Sequence, residues 1–112
     1  MILLEVDEAY AFDFLSIIHI KKNINLDAYD HWVECFSYIE KQIGKIKMIE
    51  IVNSIEYRNL IEANQLTFDA VEKARYGSIT AKEVDEANML RYKTKKELQN
   101  KFFNNDIKEI KT

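Results

Sequence analysis

Three observations predict an all-α fold. The 112 residues contain no proline and only two glycines, and apolar side chains recur at the 3.6-residue spacing of helices along most of the chain. The expected architecture is an antiparallel four-helix, bundle-like single domain over 1–112. It ends in a long C-terminal helical hairpin, with 104–112 a frayed tail. A chain of this length makes one domain and buries roughly two-thirds of the surface its unfolded form would expose.

Each element has a local reason. Residues 2–6 are apolar and β-prone but too short to define a strand. A first helix is expected from Asp7, whose carboxylate can cap exposed amides, to about Lys22. It is apolar almost all round, with Phe12, Phe14, Leu15, Ile17, Ile18 and Ile20, which predicts a central, heavily buried position. The next turn covers 23–26, and Asp27 is the next candidate cap. A second helix then carries Tyr29, Trp32, Val33, Phe36, Ile39 and Ile43, and Gly44 offers the left-handed conformation that closes it. Residues 45–53 fit a helical continuation or a short extended segment equally well. From Ser54, Tyr57, Leu60, Ile61, Phe68 and Val71 form one stripe that Gly77 ends. Thr80-Ala81-Lys82-Glu83 is a capping box, so the last helix starts there, with Val84, Ala87, Leu98 and Phe102 on its apolar side. The short turns make the first pair and the last pair of helices antiparallel hairpins, and the last two helices are the longest.

Composition bounds the function classes. Net charge is −3, apolar residues are 47% and charged residues 31%, which excludes disordered and collagen-like classes. The single cysteine, Cys35, fits a reducing compartment, and the expected location is the cytoplasm. The N-terminal residues lack the basic segment of a signal peptide. The longest apolar stretch, 9–20, is broken by Asp13 and too short to span a bilayer, so no membrane association is expected. The chain from Arg91 onward is basic. Lysines near a helix C-terminus account for that, and the exposed face of that helix lacks aromatic platforms for stacked bases, so nucleic acid is disfavoured as a partner.

Neither metal nor cofactor is expected. His31 and Cys35 share a helix face at i, i+4, but two further ligands would be needed, and the other histidine, His19, lies in the most apolar helix. No Glu-x-x-His exists for a carboxylate-bridged centre. The Glu5–Glu8 and Glu83–Glu86 pairs fall at helix starts, where carboxylates complement exposed amides anyway. Polar residues inside apolar stripes stand out more. Asn64 lies between Ile61 and Phe68, Asn88 and Arg91 share a face with Val84 and Leu98, and Asp13 and Ser16 interrupt the first helix. Buried polar groups must be paired, so these side chains are expected to meet one another. Their purpose is either to set helix register or to form a ligand pocket. Asp13 is the nearest counter-charge for Arg91, with Asp69 and Glu72 as competitors.

Three segments together resemble a family of small helical proteins from bacteria and phages, often encoded near surface-polysaccharide glycosyltransferases. The first is Val6 with Asp13, Leu15, Ser16, Ile17, Ile18, Ile20 and Lys21. The second is Asn64, Thr67-Phe68, Asp69, Glu72 and Arg75. The third is Asn88, Arg91 and Lys95. The chain departs from the family pattern at Phe14, His19, Asp7, Ala9 and Val71, where the family has lysine, glutamate, serine, glycine and an acidic residue. The resemblance supplies a setting and no reaction, and it singles out the same polar residues.

The expectation is therefore a non-catalytic helical interaction or accessory protein, linked to cell-surface glycan assembly. The alternative is a binding protein or enzyme for a small anionic metabolite such as a nucleotide-sugar, held by Arg75, Arg91 and Lys95. A third is a phage nucleic-acid-binding factor. Self-association into a homodimer is also expected, through 1–6 and the aromatic second helix (Tyr29, Trp32, Tyr38).

Overall fold

A computed structural model of the chain describes residues 2, 5–77 and 80–104. They form five helices in a bundle-like arrangement: α1 (Glu8–Lys21), α2 (Leu26–Ile43), α3 (Lys45–Val52), α4 (Ile55–Arg75) and α5 (Ala81–Phe103). No strand occurs among the described residues. The expected hairpin tip at 78–79 and nearly all of the expected frayed tail lie outside them.

The undecided stretch 45–53 is helical. Gly44, at φ +91°, ends α2 by donating its amide to the Glu40 carbonyl (2.8 Å). Its own carbonyl accepts from Met48 N (3.0 Å), which starts α3. Met48 and Ile51, three residues apart, are fully buried, whereas Ile46 and Ile49 face outward. A single helical face thus reaches the core.

Two caps differ from expectation. Asp7 serves α1 through its carbonyl, which accepts from Tyr10 N (3.0 Å), and its carboxylate makes no capping bond. Asn25, not Asp27, caps α2, its Oδ1 accepting from Asp27 N (2.8 Å). Thr80 caps α5 as the sequence predicts, accepting from Glu83 N (3.4 Å), and Ser54 caps α4, accepting from Tyr57 N (3.1 Å).

Helix α1 is central and packs against α2, α4 and α5, while α4 and α5 form the most extensive pairing. Phe12, Leu15, Met48, Ile51, Leu60 and Leu98 are fully buried between these elements. Phe12 meets Tyr57 edge-on, ring centroids 6.0 Å apart. Burial of α1 is nonetheless incomplete. Tyr10 and Phe14 are about half exposed, along a stripe flanked by Lys95 of α5 and His31 of α2.

The stripe read on α4 is buried only in its first half. Phe68 and Val71 are 37% and 40% exposed. Ser16 of α1 is level with Asn64 of α4, and α1 stops at Lys21 while α4 continues to Arg75. The tip half of the hairpin therefore extends past the helix that would cover it.

Candidate functional site

The polar residues of α1, α4 and α5 converge on one carboxylate. Asp13 is 3% exposed. Its Oδ1 accepts from Arg91 Nε (3.1 Å) and from Asn64 Nδ2 (2.9 Å), and its Oδ2 accepts from Arg91 Nη2 (2.5 Å). The Lys95 ammonium lies 4.0 Å from the same Oδ2, with its side chain only 10% exposed. The arginine thus grips both carboxylate oxygens in the fork geometry that favours guanidinium over ammonium.

Around this pair the remaining polar groups are matched. Asn64 Nδ2 also donates to Ser16 Oγ (2.6 Å), and that hydroxyl donates to the Asp13 carbonyl (2.7 Å). Two α5 turns away, fully buried Gln99 accepts from Ala9 N (2.7 Å) and donates to Glu8 Oε1 (2.9 Å), so it satisfies an exposed amide at the start of α1. Thr94 Oγ1 returns to the Arg91 carbonyl (2.8 Å). The helices are therefore laced together at two levels, by Asp13 and by Gln99.

Of the residues singled out from sequence, Asp13, Ser16, Asn64, Arg91 and Lys95 come together. The other four do not. Asn88 is exposed, and its short amide donates to the Val84 carbonyl of its own helix (3.2 Å). Asp69 accepts from Gln65 (3.1 Å), and Glu72 pairs with Arg75 (3.5 Å) in the open, their side chains 58% and 66% exposed. Neither carboxylate competes for Arg91, because both sit on the tip half of α4. Sequence reasoning missed Gln99, Thr94 and Glu8. The available signal was spacing, since residues 88, 91, 95 and 99 form one stripe of α5 at i, i+3, i+7 and i+11.

Three clefts are lined by none of Asp13, Ser16, Asn64, Arg91 and Lys95. One is floored by Phe12, Ile39 and Ile43 between α1, α2 and the segment carrying Ile2 and Val6. Two more run along the outer seam of α4 and α5. Tyr29 and Tyr38, expected on one interface, are nine residues apart and so on opposite flanks of α2. Trp32 is partly buried between His19 (6.3 Å) and Phe36 (5.2 Å), with the Lys22 ammonium 3.9 Å above its ring.

Burial, and to a lesser degree Lys22, lowers the His19 pKa. Burial raises the thiol of Cys35 and the phenol of Tyr57. No cluster of three or more His, Cys, Asp or Glu able to hold a metal occurs among the described residues, and no described helix is long and apolar enough to cross a membrane. Comparison with protein-family models, with curated proteins and with solved structures gives no match.

Proposed function

We propose that this chain is a non-catalytic helical interaction protein whose polar cluster is an internal strut. The observation that carries this reading is the two-pronged grip of Arg91 on buried Asp13, which spends the guanidinium inside the fold. The competing anion-binding reading needs Arg75, Arg91 and Lys95 to act together. Arg75 stands eleven residues beyond Asn64 on α4, roughly 16 Å along the helix, and is already paired with Glu72. The family resemblance adds a setting, accessory work in cell-surface glycan assembly, and the single cysteine, Cys35, fits the cytoplasm as its place.

The test is the stability of Arg91→Met. Removing one partner of a buried ion pair costs about 3–5 kcal/mol. Lys95 and Asn64 still face Asp13 in this variant, so the low end is expected. Adding Asp13→Leu recovers part of the loss, and only part, because it takes the carboxylate from Lys95. Urea midpoints read both. A loss below about 1 kcal/mol, the range of an exposed pair, overturns the strut. A panel of nucleotides and nucleotide-sugars should leave the melting temperature unchanged. A ligand at 100 times its Kd would stabilise by roughly 2.7 kcal/mol, and such a shift overturns the non-binding reading.

A further inference from the structure

The cleft between the start of α1 and the end of α2 is the largest of the three. Its volume is about 610 Å³, against about 270 and 370 Å³ for the two on the α4–α5 seam. Phe12, Ile39 and Ile43 make its floor apolar, and Glu5 and Glu8 are the only charged side chains among the described residues that line it. Glu8 is held in place, because fully buried Gln99 donates to its Oε1 (2.9 Å). The first amides of α1 offer an anion nothing. Ala9 N already donates to Gln99 Oε1 (2.7 Å), and Tyr10 N and Ala11 N donate to the Asp7 carbonyl (3.0 and 3.4 Å). The mouth is therefore negative, and it favours a cation attached to an apolar body.

We infer that this cleft receives a short segment of a partner protein, which sets large apolar side chains on the floor and a flanking lysine or arginine against Glu5 and Glu8. The inference rests on the reading of the chain as an interaction protein and names the chemistry of its partner. A site for a small molecule encloses most of its ligand. Here the apolar surface continues past the mouth instead, through Ile2, Val6 and Tyr38, which are 84%, 53% and 62% exposed. An open apolar rim with an aromatic side chain is the make-up of a protein interface. The volume admits more than one large side chain, so a segment fits it better than a single anchoring residue. The two carboxylates then set the choice of partner: a basic flank is drawn in, and an acidic one meets like charge.

The test is selection of a random-peptide library displayed on phage against the full chain. Selected peptides should place lysine or arginine beside two large apolar residues. No enrichment, or enrichment of acidic peptides, overturns the proposal. A synthetic peptide of the selected consensus then serves as the probe, with its affinity read by fluorescence anisotropy. Glu5 and Tyr38 are exposed, so Glu5→Lys and Tyr38→Ala should leave the helical circular dichroism intact. Glu5→Lys should raise the peptide Kd at least about fivefold, and Tyr38→Ala about tenfold. Glutamate in place of the basic residue of the peptide should restore binding to the Glu5→Lys chain, a rescue that a merely structural role for Glu5 would not give. A peptide indifferent to either substitution overturns the proposal by placing its site elsewhere. Peptide affinity reads this cleft and urea midpoints read the strut, so either can fail without the other.

Discussion

Asp13, Asn64, Ser16 and Arg91 show how a carboxylate can lie in a helical core. Both Asp13 carboxylate oxygens, the Asn64 amide nitrogen and the Ser16 hydroxyl find partners within the fold, and the bonds come from three helices. His19 follows the opposite course, because its burial disfavours the protonated ring. Its folded pKa lies below the ordinary 6.5, so the unfolded chain binds the proton first as pH falls. The stability it contributes is complete above about pH 6.5 and is lost as pH drops below that value toward the folded pKa. Between about pH 7.5 and pH 5 the urea midpoint of the native protein should fall further than that of His19→Phe, which keeps a ring against Trp32. Equal falls in the two proteins would show that His19 contributes nothing to the acid sensitivity.

The elements are held by their junctions as much as by their faces. Gly44 joins α2 to α3 at φ +91° and ψ 155°, a conformation that side chains rarely adopt. A Cβ there would meet nothing within 4 Å, so the whole effect of substitution is backbone strain. Gly44→Ala should therefore cost about 1–3 kcal/mol, while D-alanine at the same position, introduced by chemical synthesis, should not destabilise. An unchanged urea midpoint for Gly44→Ala would mean that the junction relaxes. Much of this level was legible in the sequence. The Thr80 box, the Ser54 start and the glycine at 44 follow from backbone chemistry that acts within a few residues. The α3 helix was undecided because eight residues hold too few turns for periodicity, and burial of Met48 and Ile51 against distant helices settles it. The site was half legible for the same reason. Interrupted stripes exposed Asp13, Asn64 and Arg91, but the lengths of neighbouring helices decide whether such a residue is covered. That is why Asn88, Asp69, Glu72 and Arg75 stay outside, and why Gln99, which works across 90 residues, went unseen.

At the scale of the molecule the helices are unequal, and the shape follows. The Cα radius of gyration is 14.6 Å, against about 13 Å for a compact chain of this length. The α4–α5 hairpin reaches past the shorter α1, which leaves Phe68 and Val71 half open. Its helices meet across a short connection, whereas the Arg91–Asp13 clasp joins residues 78 apart. Loop closure of that size is slow, so the hairpin should assemble early and α1 should dock late. Two substitutions separate these events in stopped-flow chevrons. Ala70→Gly, costing about 1 kcal/mol of helix propensity, should chiefly slow folding. Arg91→Met should leave the folding rate nearly unchanged and speed unfolding, and the reverse assignment would place α1 in the transition state. In kinetic terms the buried ion pair is then a latch: it does little to bring the native state about, and it sets how long that state lasts.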